Sequence, residues 1–181
     1  MKLMIASDIH GSEKYCKMLV NRFKEENADR LLLLGDILYH GPRNDLPEYY
    51  SPKGVIALLN EISDKILCVR GNCDAEVDSM VLNFPLSADY AYVFVDGVSI
   101  FASHGHIFNE EKLPPLKKDD ILLNGHTHVP KCTKHDGYTY MNCGSVSIPK
   151  EDSPHSYMTL EDGVFVWKDL VSGEEYMNTE T

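Results

Sequence analysis

Five fragments of this chain carry residues that could do chemistry: Asp8-Ile9-His10, Gly35-Asp36, Gly71-Asn72, His104-Gly105-His106 and Gly125-His126-Thr127-His128. Each follows a short apolar run. Carboxylate oxygen with imidazole nitrogen is the donor mixture that borderline divalent cations take. Taken singly, each fragment reads as a turn. Asp-x-His at a strand end can be a capping Asp, Gly-Asp and Gly-Asn are common turns, and His-Thr-His can be a surface pair. Five such ends in one chain are hard to attribute to turns alone. In α/β folds ligands bind beyond the C-terminal ends of the strands, where segments distant in sequence meet. Glycines beside the donors let the backbone come close to an ion. These strand ends therefore carry the residue types of a candidate metal site.

The elements that must position them follow from periodicity. Residues 2–7 form an apolar run that predicts a buried strand. Ser12 is a candidate helix cap, with Tyr15, Leu19, Val20 and Phe23 behind it at helical spacing. Leu31–Leu34 and Ile66–Val69 predict two more buried strands. A helix is expected over 52–63, opened by Pro52, with Val55, Ile56, Leu58, Leu59 and Ile62 inward. Residues 37–50 read as a loop. Later, 91–95 and 98–103 flank Asp96-Gly97, a hairpin signal. Short β-like runs follow at 121–123, 138–141, 156–160 and 164–167. The order is βαβαβ and then mostly β. It predicts an α/β (α+β) chain of two packed sheets with helices on the outer faces. With no repeat or linker, residues 1–181 are expected to be one domain, with a polar, frayed tail from about Ser172.

Composition narrows the function classes. The formal net charge is −11, which disfavours a long nucleic acid and an anionic membrane as partners. A small anionic substrate stays open, because bound cations can reverse the local sign. The five cysteines are odd in number and form no CxxC, so a reducing compartment is expected. No apolar stretch reaches the roughly 18 residues of a membrane helix. The N-terminal run meets Asp8 too early for a signal peptide. A cytoplasmic location is the expectation.

The ordered set D-x-H, G-D, G-N-x-D, H-G-H and G-H-T-H resembles the calcineurin-like metallophosphoesterases. The likeness runs from Asp8 to His128, and Asn142-Cys143-Gly144-Ser145 extends it. Ser7 to Gly11, Gly35 to Asn44 and Arg70 to Asp74 are most similar to the small bacterial phosphodiesterases of that family. The resemblance implies a two-sheet β-sandwich flanked by helices. It implies one ion on Asp8, His10, Asp36 and His128, and another on Asp36, Asn72, His104 and His126, with Asp36 bridging. The ions would be Mn2+, with Fe2+, Zn2+, Ni2+ and Mg2+ as alternatives. A metal-activated water would then hydrolyse a small phosphodiester. Members of this kind often self-associate, so a homo-oligomer is a possible state. A phosphomonoesterase or protein phosphatase is the rival enzyme reading. A retromer-like protein-binding scaffold is the rival of another class, but such scaffolds tend to lose ligands, and all seven stand here.

One residue departs from the family pattern. The position after Gly-Asn usually carries a His, thought to protonate the leaving group; here it is Cys73. Beside two dications a thiol would tend to ionise and would then have no proton to give. His106 is the substitute donor, or else a residue orienting His104 or a metal-bound water. With Asp36 and Asn72, these two complete the candidate catalytic set. Arg43 and Asn44, in a Gly-Pro loop after Asp36, are candidate substrate contacts, since a guanidinium matches a pair of phosphate oxygens. Cys143 and Ser145 are expected near the site for backbone packing. Tyr49, Tyr50, Tyr90 and Tyr92 could stack on a base, although packing is their ordinary role.

Overall fold

The computed structural model describes residues 1–181. The chain opens with β1 (Leu3–Ala6), α1 (Glu13–Glu25), β2 (Arg30–Leu33), α2 (Pro52–Asn60) and β3 (Ile66–Cys68). β1 pairs with β2 and β2 with β3, both parallel, so α1 and α2 are the crossovers that parallel pairing requires. The hairpin follows as β4 (Tyr90–Val95) and β5 (Val98–Ser103). Its turn residues Asp96 and Gly97 both have positive φ, 51° and 83°, the backbone that a two-residue type I′ turn needs. Then come β6 (Asp120–Asn124), β7 (Lys131–Lys134), β8 (Tyr138–Asn142), β9 (Ser156–Glu161), β10 (Val164–Asp169) and β11 (Glu175–Glu180).

Two sheets result. One has the order β11-β10-β9-β1-β2-β3 and the other β4-β5-β6-β8-β7. β1 is apolar throughout because both of its faces are buried. Leu3 and Ile5 join the core between the sheets, with Leu32, Ile100, Leu123, Met158 and Trp167. Met4 and Ala6 face the opposite way, into the core that holds Tyr15, Leu19, Phe23, Val55 and Leu59 of the helices. Period-2 alternation on one strand therefore serves two cores. Ser12 caps α1 as expected, its hydroxyl accepting from the Tyr15 amide at 3.4 Å.

The structure differs from the sequence expectations in four places. Both helices pack on the six-stranded sheet. The outer face of the other sheet carries only a small cluster, Phe101, Leu122 and Tyr140, against Phe108, Leu116 and Tyr138. α2 ends at Asn60 rather than 63, and the Asn60 side chain is committed to Val81 and Asn83 at 2.8 Å each. The tail is not frayed: β11 pairs antiparallel with β10, Met177 opposite Trp167. β7 was also absent from the periodicity reading. Both missed strands are polar edge strands, which need backbone pairing and one inward residue, here Met177 and Cys132, rather than an apolar run.

Removal of residues 174–181 should therefore lower stability by roughly 1.5–3 kcal/mol, the scale of one large apolar side chain returned to water. Urea unfolding of the full and shortened chains checks this; coincident midpoints would mean that β11 contributes nothing.

Candidate functional site

β1, β2 and β3 end in Asp8 to His10, Asp36 and Asn72. β5 and β6, parallel to each other in the second sheet, end in His104 and in His126 to His128. The turns that bring these residues in are unusual backbone. Asp8, His10, Asp36, His126 and His128 all have φ between 49° and 65°. Left-handed backbone costs a non-glycine residue about 1–2 kcal/mol, and such residues cluster at functional sites. Close approach requires glycine at two neighbours. A Cβ on Gly71 would collide with the Asp36 carboxylate, and one on Gly125 with the Ser7 side chain.

Seven donors form two groups that share one residue. In the first, Asp8 Oδ1 lies 3.4 Å from His10 Nε2 and 3.2 Å from His128 Nε2. His10 Nε2 is 3.3 Å from His128 Nε2 and 3.7 Å from Asp36 Oδ2. In the second, His104 Nε2 lies 3.3 Å from Asp36 Oδ2, 3.1 Å from Asn72 Oδ1 and 3.1 Å from His126 Nδ1. Atoms about 2.1 Å from a common ion sit about 3.0 Å apart at right angles and about 3.4 Å at the tetrahedral angle. The spacings match, and Asp36 Oδ2 belongs to both groups. Asp8 Oδ1 is buried and faces only the His10 and His128 imidazoles, a state that a cation would relieve. The residues thus fit two cations, one per group.

The imidazoles are held from behind. Nδ1 of His10, His104 and His128 bonds the backbone carbonyls of Tyr39, Leu34 and Ile148 at 2.8, 2.7 and 2.6 Å. That contact aims each Nε2 inward. His126 differs: its Nδ1 faces the cluster, and its amide donates to Asp8 Oδ2 at 3.0 Å. Ser145 and Ser147 hydroxyls both donate to the Asp8 carbonyl at 3.0 Å, so Ser145 does support the backbone here. Cys143 is fully buried. Asp74 was quoted within a motif but given no role. It accepts from the amides of Asp36, Ile37 and Gly71 at 2.8, 2.8 and 2.7 Å. It thereby pins the Asp36 turn to the Asn72 turn. The signal in the sequence was an acceptor-only side chain three residues after a glycine.

Without metal the site is a network of buried ion pairs. Burial alone would lower the His104 imidazole, but the Asp36 hydrogen bond and the Asp8 and Asp36 charges outweigh it and raise it to about 9. Burial opposes ionisation of Asp8, yet His10 and His128 hold it well below the usual carboxylate range. Burial and the His104 charge push His126 down to about 4.

Asp36, Arg43, Asn44, Asn72, Cys73, His126, Thr127, His128 and Lys150 line a cavity of about 410 Å³. Asp8, His10 and His104 are buried and do not line it. Cys73 is brought in: its thiol, His10 and Asp36 offer donor atoms within 4.8 Å of one another. The protein itself does not favour a thiolate there. Burial, with the Asp36 carboxylate, pushes the Cys73 thiol up to about 12. His106 is half-buried beside His104, ring centroids 5.4 Å apart, and does not line the cavity. Nor does it orient His104, whose Nδ1 is taken by Leu34. Asn44 braces its own loop by donating to the His40 carbonyl at 2.8 Å. None of Tyr49, Tyr50, Tyr90 or Tyr92 reaches the cavity. Lys150 does, and the sequence reading missed it.

Comparison with known proteins identifies the family. Residues 1–162 match the calcineurin-like phosphoesterase superfamily domain. The chain belongs to that superfamily. It is 47% identical to the Escherichia coli K12 protein named Phosphodiesterase YfcE over 164 residues, 91% of this chain and 89% of that one. The solved structure of the E. coli phosphoesterase YfcE superposes with a TM-score of 0.96 at 43% identity, covering 99% of each chain. Entamoeba histolytica Vps29 complexed with Zn2+ superposes at 0.62 and 19% identity over 99% of each chain, a likeness of fold alone.

Because His104 is protonated in the metal-free site at neutral pH and a cation needs its lone pair, metal uptake should release a proton. Affinity should then rise with pH up to about 9, by about tenfold per unit for each proton displaced. Titration calorimetry in buffers of different ionisation enthalpy counts the protons; none released would contradict the ion-pair network.

Proposed function

We propose that this chain hydrolyses small phosphodiesters at a site holding two divalent cations. Asp8, His10, Asp36 and His128 would hold one, and Asp36, Asn72, His104 and His126 the other. The observation that carries the reading is the convergence of these donors on two points that share Asp36 Oδ2. Mn2+ is the proposed metal; Fe2+, Zn2+, Ni2+ and Mg2+ accept similar donors. Preference for diesters is supported by the E. coli relative, which is named a phosphodiesterase. Bound cations supply charge stabilisation at the phosphoryl group and an ionised water.

The chain's own residues set the conditions for that chemistry. Asp8 and Asp36 provide the negative charge that holds dications in an otherwise buried cluster. Backbone carbonyls fix the imidazole tautomers. Arg43 lines the cavity, where a guanidinium suits an anionic group of the substrate. Cys73 takes the place of the proton donor and performs poorly in either form: ionised it has no proton, and as a thiol near 12 it is badly matched to neutral pH. That favours esters with good leaving groups and weighs against the phosphomonoesterase reading. The scaffold reading has only the shared fold of Vps29 behind it. We also propose a single domain spanning 1–181 and a cytoplasmic location. All five cysteines are free, and no helix is long and apolar enough to cross a membrane.

Asp36→Asn should lose at least one metal equivalent and most activity, because Asp36 belongs to both donor groups. Metal content per chain beside the rate on bis(nitrophenyl) phosphate tests it; two retained ions with full rate would exclude the shared-ligand assignment. A leaving-group series tests Cys73. Wild-type rates should fall steeply as the leaving alcohol becomes more basic. Cys73→His should flatten that slope, with a gain of about 10²–10⁴ on poor leaving groups if the imidazole reaches the leaving oxygen. Equal slopes would remove position 73 from proton delivery.

A further inference from the structure

The charge balance at the cavity points beyond the scissile phosphate. Two dications less the charges of Asp8 and Asp36 leave a surplus that a hydroxide and a monoanionic diester would neutralise. Arg43 and Lys150 both line the same cavity and lie outside that balance. Neither forms an ion pair, whereas nearby Arg70 and Lys131 are bound to Asp89 and Glu110. Unpaired lysines line other cavities too, but Arg43 and Lys150 share theirs with Asp36, Asn72, His126 and His128 of the donor cluster.

Lys150 is fastened to the site. Its amide donates to the carbonyl of His128 at 3.3 Å. Its own carbonyl accepts from the Ser153 amide at 3.1 Å and the Ser153 hydroxyl at 2.6 Å. The turn between them is Glu151-Asp152, with φ of 54° and 56°. Consecutive left-handed residues without glycine are strained backbone, and this strained turn fixes where Lys150 leaves the chain. The two acidic residues of the turn do not line the cavity. On the other wall, the loop carrying Arg43 is braced by Asn44. No Phe, Tyr or Trp lines the space between, so there is no face on which a nucleobase would stack.

We infer that Lys150 and Arg43 form a subsite for a second anionic group, a carboxylate or phosphate, on the ester portion of the substrate that is not the leaving group. The inference rests on the phosphodiesterase reading. It places the substrate among small, multiply charged diesters rather than neutral-armed or nucleobase-bearing ones.

Two diesters sharing the nitrophenolate leaving group test it: nitrophenyl phenyl phosphate and nitrophenyl 4-carboxyphenyl phosphate. Wild-type kcat/KM should favour the carboxylated ester by on the order of tenfold, the effect of one charge-assisted contact. Added salt should shrink the ratio. Lys150→Gln and Arg43→Gln should each drive the ratio toward unity, and Lys150→Arg should keep it. Calorimetric binding of 4-carboxyphenyl phosphate against phenyl phosphate reads the same preference without turnover. A wild-type ratio near one overturns the subsite. So does an equal loss on both esters in Lys150→Gln, which would place Lys150 on the scissile phosphate. Hydrolysis of neither ester would instead defeat the phosphodiesterase reading beneath it.

Discussion

Asp8 and Asp36 are carboxylates removed from water and set within reach of five other donor groups. A buried charge is tolerated only when it is paired or bound to a cation. Much of the local structure answers that requirement. Three imidazoles are pinned through Nδ1 to backbone carbonyls so that their Nε2 atoms face the carboxylates. Asp74 ties two of the turns together through three amides. Ser145 and Ser147 hold the Asp8 carbonyl from behind. In the metal-free chain, the proton on His104 does part of the work that dications would do.

Convergence of this kind is unfavourable locally and must be imposed from outside. Five of the seven donors sit in left-handed backbone, at about 1–2 kcal/mol each. The turns are anchored at one end by strands of two separate cores, one between the sheets and one beneath the helices. β1 belongs to both cores, and Asp8 follows within two residues of its end. A site on rigid strand ends keeps its donors in place before an ion arrives, which is the condition for strong binding.

The same arrangement resolves an apparent conflict in charge. The chain is acidic, yet the cavity beside the donor cluster is lined by Arg43 and Lys150. The negative balance resides elsewhere on the surface and discourages extended polyanions. In the proposed reading, the local field at the cavity favours small anions. Cys73 lines the wall of that cavity, where the family pattern usually carries a His.

Read alone, the sequence determined most of the strand and helix order, the cap at Ser12, Pro52 in the first turn of α2, the Asp96-Gly97 turn and the strand ends that carry candidate donors. These are legible because side-chain periodicity and turn chemistry are local, and because polar residues ending apolar runs are rare enough to notice. Tertiary structure alone decided the rest. β7 and β11 depend on a neighbouring edge for their hydrogen bonds, and no apolar rhythm announces them. Whether His106 faces substrate, whether Asn44 binds it or braces a loop, and what Asp74 accepts depend on which groups arrive from elsewhere. Lys150 reaches the cavity because His128, 22 positions earlier, accepts its amide hydrogen. Contacts between segments distant in the chain carry no local periodicity, so a single sequence does not display them.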